Sequence, residues 1–228
     1  MRLVFLHAAG SSGDQWVQQR LAFAARHEVA TPDLPGHGSS AEAPLERIED
    51  IAAWVARTQA VERAVVVGHS MGAAVALALA ASHPVRGLVL VGAASRLPVP
   101  AGFVEEVARD PAIAAERLAT AGFASGARAG LVDRASAFLT RTDPEVLARD
   151  FAASSAFDAR DLLARIRVPT RVIVGAEDRM TPLADAEAMA RGIAGAELHV
   201  VPGAGHMVML ERPREFNAAL ASFLDRLR

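Results

Sequence analysis

The chain has 228 residues, 52% of them apolar and 22% charged, with a formal net charge of −2. That length suits one α/β domain with a substantial core, and the near balance of charge excludes nucleic-acid binding driven by a basic field. Cysteine is absent and all 24 Lys/Arg positions are arginine, which removes disulfides, a cysteine nucleophile, thiolate metal sites and a Schiff-base lysine.

In chain order, short β-branched runs alternate with longer alanine-rich stretches. The opening run Arg2–His7 is too short for the h-region of a signal peptide and is interrupted by His7, so it reads as a strand. A helix over Asp14–Arg26, a strand over Glu28–Thr31 and a helix over Glu46–Val61 follow. Next come a strand at Ala64–Gly68, a helix at Met71–Ser82 and a strand at Gly87–Ala93. Near the end, strands at Arg171–Gly175 and Glu197–Val201 alternate with helices at Leu183–Gly192 and Arg212–Leu227. Val65-Val66-Val67 and Leu88-Val89-Leu90-Val91 are apolar without alternation, as a parallel sheet covered by helices on both faces requires. The expectation is an α/β fold with a mostly parallel sheet of about six strands. No run approaches the roughly 18 apolar residues of a membrane span, so a cytoplasmic protein is expected.

Residues 94–168 break the rhythm. They carry only helical pattern, punctuated by Asp110-Pro111, Gly122, Gly126, Gly130 and Asp143-Pro144. Thr142-Asp143-Pro144-Glu145 is a helix start, with a capping side chain, an early proline and a glutamate able to reach back. About 75 residues is too long for a loop, which predicts a helical lid over 94–168 inserted into a core of 1–93 and 169–228.

Gly68-His69-Ser70-Met71-Gly72 lies where a strand turns into a helix. That turn strains the serine backbone and lifts its hydroxyl above the sheet, while the glycines remove side chains that would clash. Ser70 is the candidate nucleophile. Among seven histidines, His206 lies in a loop after the last strand, where open α/β sheets place their sites, and is the candidate base. The loop after Arg171–Val174 holds Glu177 and Asp178 just before Thr181, read as a helix cap, and Pro182. Asp178 is preferred as the orienting acid, with Glu177 the alternative. The small-residue loop His7–Gly13 can turn backbone N–H groups toward a ligand oxygen, and with the Met71 N–H it supplies the donor pair of acyl transfer.

The order Ser70, Asp178, His206 is similar to that of the α/β-hydrolase superfamily. So are the opening loop, Asp33-Leu34-Pro35-Gly36-His37-Gly38 and Gly205-His206-Met207-Val208-Met209-Leu210-Glu211-Arg212-Pro213. The resemblance covers essentially the whole chain outside the lid. It implies that the amides of Ala9 and Met71 are the oxyanion donors and that His37 is structural. Two departures stand out. Ala8 occupies the place of the family's usual glycine after His7, where a positive φ would strain it. The first strand corresponds to the family's third, which predicts six strands instead of eight.

These features point to a serine esterase acting on a small-molecule carboxylic ester of short to medium acyl length, with no metal or organic cofactor. The oligomeric state has no signature in the sequence. Phe103, Phe123 and Phe138 of the lid, with Met180 and Met207, are the expected substrate-binding residues, and Met209 is expected beside them. Two other readings share the triad. One is a lyase resembling the menaquinone-pathway member of the superfamily, which would use Arg96, Arg128, Arg134 or Arg141 to grip a dicarboxylate. The other is a small-molecule receptor of the strigolactone-receptor kind.

Overall fold

The computed structural model describes residues 1–128 and 130–228. Six strands, β1 (Arg2–Leu6), β2 (Glu28–Ala30), β3 (Val65–His69), β4 (Gly87–Val91), β5 (Thr170–Gly175) and β6 (Glu197–Val201), form one sheet. Their order is β2-β1-β3-β4-β5-β6, and every neighbouring pair is parallel. The register runs Val66↔Val4 on one side of β3 and Val66↔Leu88 on the other.

Alternation along each strand divides the core in two. Val4, Val66, Leu88 and Val172 face a layer built by α2 (Ile48–Thr58), α3 (Met71–Ser82) and, later in the chain, α9 (Leu183–Gly192). Leu3, Phe5, Val65, Val67 and Ile173 face the opposite layer of α1 (Val17–Phe23) and α11 (Pro213–Arg226). Both layers are needed because the four central strands, β1, β3, β4 and β5, are buried on both faces.

Two predicted helices are broken by local chemistry. The stretch from Asp14 begins as a 3₁₀ turn, Gly13–Trp16, in which Trp16 is drawn into the core against Phe5 and Phe216, and only then becomes α1. The last helix is preceded by a separate turn, α10 (Val208–Glu211), because Pro213 has no N–H to continue it and instead starts α11. Strand β4 stops at Val91, short of the predicted Ala93, where Gly92 takes φ +51°.

Between β4 and β5 the chain is helical: α4 (Phe103–Arg109), α5 (Pro111–Gly122), α6 (Leu131–Leu139), α7 (Pro144–Ala156) and α8 (Arg160–Leu163). Asp110 and Asp143 cap α5 and α7 by accepting backbone N–H bonds of 3.2 and 2.9 Å, with proline at the first position of each helix. Glu145 does not reach back to the cap; it pairs with Arg149 at 2.6 Å. Phe103, Val107, Ala114 and Leu147 form a small core of their own, while Phe157 and Leu163 join the core under the sheet. Among the described residues no helix is long and apolar enough to cross a membrane.

The chain leaves β1 toward β2 and returns to β3 on the other side of β1. The loops after β1 and β3 therefore diverge and open a crevice at the carboxyl edge of the sheet. Helix α3 packs directly below it, buried from Met71 through Leu79. Gly72 makes this approach possible, since a Cβ there would collide with the carbonyl oxygens of Leu6 and His7. Gly72→Ala is expected to lower the unfolding free energy by about 1–3 kcal/mol. Gly126→Ala, where a Cβ would meet nothing within 4 Å, should stay within about 0.5 kcal/mol of the parent in a urea titration. Equal midpoints for the two variants would show that α3 does not depend on this contact.

Candidate active site

Ser70 is the single residue between β3 and α3. Its backbone sits at φ 53°, ψ −116°, a conformation that side chains rarely adopt. The turn is held by the Ser70 N–H donating to Val91 O at 2.9 Å and by the Ala73 N–H donating to Ser70 O at 2.9 Å. The hydroxyl therefore projects at the start of a helix whose first two N–H groups, of Met71 and Gly72, have no protein acceptor among the described residues.

His206 follows β6 and is 3% exposed. Its Nδ1–H donates to Asp178 Oδ2 at 2.9 Å, while Nε2 is buried with no hydrogen-bond partner among the described residues. Asp178 also accepts from the N–H of Met180 and Thr181 at 2.9 and 2.8 Å, and from the Thr181 hydroxyl at 2.8 Å. Burial works to raise the Asp178 carboxyl. The His206 charge and the bonds from His206 and Thr181 outweigh it and hold the group below the usual carboxylate range.

Thr181 was expected to cap the next helix. Instead its hydroxyl is taken by Asp178, and α9 begins without a side-chain cap. Glu177, the alternative acid, accepts from the Ser125 N–H and hydroxyl at 3.2 and 3.0 Å on the exposed side of the loop. Of the two carboxylates, Asp178 is the one bonded to His206.

The amides of the loop after β1 differ in their partners. Ala8 N–H donates to Gln15 Oε1 at 3.2 Å, and Gly10 N–H donates to Asp150 Oδ2 at 2.7 Å. Among the described residues the N–H groups of Ala9 and Met71 have no protein acceptor. The strain anticipated at Ala8 does not arise, because the positive φ of this loop falls on Gly10, at +62°.

A buried histidine that sequence reasoning left without a role ties these parts together. Gln15 Nε2–H donates to His69 Nδ1 at 3.1 Å, which leaves the proton on Nε2 to donate to the His206 carbonyl at 3.0 Å. Burial and the neighbouring His206 charge hold His69 well below the ordinary histidine range, so it stays neutral and in one tautomer. Behind His206, Glu211 accepts from the N–H groups of Gly205 and Ala124 at 2.8 and 2.9 Å. Burial raises the Glu211 carboxyl despite these bonds.

Two cavity lobes, of about 340 and 380 Å³, share Ser70 and His206 in their walls. Among the described residues no hydrogen bond joins these two side chains; such bonds are commonly long until substrate binds. Phe123, Phe138, Met180 and Met207 line the first lobe, Phe103 and Met180 the second, and Phe151 both. Met209 does not join them. Two positions after Met207 on a helical turn, it points the other way, into the sheet core. Of the four arginines considered for a dicarboxylate, Arg134 alone lines either lobe. Among the described residues no three His, Asp or Glu side chains are grouped as a metal site would need.

Comparison with known proteins agrees with this architecture. A family model described as "Alpha/beta hydrolase family" matches residues 3–219. The chain is 31% identical over 239 residues to a pimeloyl-acyl-carrier-protein methyl ester esterase of Aromatoleum aromaticum, covering 93% of this chain and 94% of that protein. It is also 31% identical to pyrrolizixenacetamide deacetylase of Xenorhabdus hominickii, covering 97% and 90%. Among solved structures, a thermophilic esterase from Thermogutta terrifontis superposes with a TM-score of 0.90 at 26% identity, covering 100% of this chain and 90% of that one.

His7, at the root of the β1 loop, gives the site an acid limit. Its Nδ1–H donates to Ala8 O at 2.8 Å and its Nε2 accepts from Leu34 N–H at 3.0 Å, an arrangement only the neutral ring can make. Burial, reinforced by the charge of His37, lowers its pKa from 6.5 to about 3. The unfolded chain binds this proton first, so the stability His7 contributes is complete above about pH 6.5 and drains away as pH falls toward 3. Between pH 7 and pH 5 the loss should be about 2 kcal/mol. Urea unfolding of His7→Asn at both pH values should show a fall smaller by that amount; identical falls in the two proteins would contradict it.

Proposed function

The chain belongs to the alpha/beta hydrolase family and is a carboxylic ester hydrolase, and on that premise we propose that it cleaves esters of small to medium acyl groups through Ser70, His206 and Asp178. The observation that carries this reading is His206 itself. It is anchored at Nδ1 by Asp178, while its unpartnered Nε2 is buried in the wall of the cavity that Ser70 also lines. A ring fixed in that tautomer accepts a proton only at Nε2.

In this mechanism Ser70 Oγ attacks the ester carbonyl as His206 Nε2 takes the hydroxyl proton. The carbonyl oxygen becomes an oxyanion beside the N–H groups of Ala9 and Met71. His206 then gives the proton to the departing alcohol, leaving an acyl-enzyme. Water, deprotonated by His206, attacks the acyl carbon, and collapse of the second tetrahedral species returns Ser70 and releases the acid. Asp178 stays ionised throughout and stabilises the imidazolium.

The segment 94–168 acts as the lid. Phe103, Phe123, Phe138 and Phe151 come from it, and with Met180 and Met207 they give the acyl group an adaptable apolar wall. A dicarboxylate lyase would need a convergent pair of cations. Three arginines line the lobes, but Arg117 is paired with Glu106 and Arg179 donates to the carbonyls of Thr120 and Phe123, so they do not converge with Arg134 on one ligand, which favours the hydrolase.

Ser70→Ala should lose at least about 10⁴-fold in kcat, and phenylmethylsulfonyl fluoride should label Ser70 alone by mass spectrometry. Asp178→Asn should lose orders of magnitude while Glu177→Gln stays near the parent; the reverse ranking would reassign the acid. A single slow turnover on a chromogenic acetate would favour the receptor reading, and no ester cleavage the lyase.

On esters of increasing acyl length, kcat/KM should rise by up to about fourfold per CH₂, the equivalent of about 0.8 kcal/mol, and then fall when the cavity is full. Triglycerides and peptides should be refused. Activity that is flat from acetate to decanoate would show that the aromatic wall does not select the acyl group.

A further inference from the structure

Asp150 is 3% exposed, lies on α7 of the helical insertion, and takes no part in the mechanism above. Its Oδ2 accepts two bonds from outside the insertion: Gly10 N–H at 2.7 Å and His37 Nε2 at 2.8 Å. The other nitrogen of His37 faces Pro35 O at 3.1 Å, so both ring nitrogens meet acceptors and the ring is held as the cation. Burial works against that charge, but the hydrogen bond and charge of Asp150 outweigh it and raise the His37 pKa. Asp150 is thus fixed by a buried ion pair while its same oxygen grips Gly10.

Gly10 is gripped a second time, at the peptide that follows it. The Thr142 hydroxyl, just before α7, donates to Gly10 O at 3.0 Å. A side chain on Gly10 would strike Leu147 of α7, so the helix rests directly on this residue. On the other flank, the Ala8 N–H is held by Gln15. The peptide carrying the Ala9 N–H lies between these two neighbours and is held at its own carbonyl, Ala8 O, by His7 Nδ1–H at 2.8 Å and Ser11 N–H at 3.2 Å, while among the described residues its N–H has no protein acceptor.

We propose that Asp150 is a positioning residue: together with Thr142 it clamps Gly10 on both sides from the insertion so that the Ala9 N–H stays aimed at the developing oxyanion. This rests on the serine-esterase reading. It makes the insertion part of the catalytic apparatus, beyond its service as a cavity wall. The clamp acts on the tetrahedral species and not on the bound ester, so its loss should appear in kcat and leave KM nearly unchanged.

The test compares Asp150→Ala, Asp150→Asn and Thr142→Val, with Arg149→Ala as the surface control on the same helix. Rates are expressed per active site titrated by acyl burst, so that unfolded protein does not count. Asn preserves a neutral acceptor for Gly10 and should partly rescue the alanine variant. We expect kcat to fall about 10–100-fold for Asp150→Ala and less for Asp150→Asn and Thr142→Val, in each case with KM within about twofold.

A trifluoromethyl ketone of the same acyl chain, which Ser70 converts to a tetrahedral oxyanion, should lose affinity in proportion to kcat. The alcohol of equal length, which has no carbonyl, should bind all variants alike. If Asp150→Ala does not fold, the Asn and Thr142→Val variants carry the same comparison. Unchanged kcat in both, a loss confined to KM, or a loss of kcat with ketone affinity intact would overturn the clamp. A fully active Ser70→Ala would overturn the esterase reading beneath it; an inactive Ser70→Ala beside unaffected Asp150 and Thr142 variants would overturn the clamp alone.

Discussion

Because all six strands run the same way, every carboxyl end opens on one edge of the sheet, and each loop that leaves this edge is a neighbour of the others. Parallel pairing also buries both faces, which consumes the apolar side chains of the strands and leaves that edge as the place where polar groups can gather. Ser70 after β3, Asp178 after β5 and His206 after β6 are separated by long stretches of chain, yet the sheet brings Ser70 and His206 into one cavity wall and sets Asp178 against His206. The crevice where β1 and β3 part adds the backbone donors of the first loop.

What gathers there is largely buried, and each group survives burial by a different route. Asp178 stays charged because four donors converge on its two oxygens. His7 and His69 stay neutral because burial disfavours their charge, and one nitrogen of each accepts a hydrogen bond that the cation could not. His37 holds its proton because both nitrogens face acceptors. The protonation states therefore follow from burial and the hydrogen-bond pattern together. The rings also meet in pairs, so a change at one is felt by its neighbour: His7 and His37 are 4.8 Å apart between ring centres, and His69 and His206 4.6 Å.

Much of this was legible in the sequence where the signal is local. Val65-Val66-Val67 announces a strand buried on both faces, and the glycines around Ser70 announce a turn that tolerates no bulk. Pro144 and Pro182 lie where a helix begins, although Thr181 does not cap its helix because Asp178, three residues earlier, claims its hydroxyl. Contacts between distant parts of the chain leave no such local signal. Asp150 looks like an ordinary polar position on α7, and its partners Gly10 and His37 lie 140 and 113 residues away. Nothing in spacing or propensity records such a contact. Met209 failed for a simpler reason: nearness in sequence to Met207 was taken for nearness in space, and a helical turn sends the two in opposite directions.

The backbone of Ser70 sets the interests of the fold against those of the chemistry. A non-glycine residue held in so sparsely populated a conformation costs about 1–3 kcal/mol. Glycine would remove that strain for about 0.5–1 kcal/mol of backbone entropy. By this arithmetic the chain is more stable with glycine at position 70 than with serine, so selection for stability alone would erase the proposed nucleophile. The serine persists against a standing thermodynamic gradient, and the tight packing of α3 beneath it, alanine by alanine, is the reserve that lets the molecule tolerate the deficit.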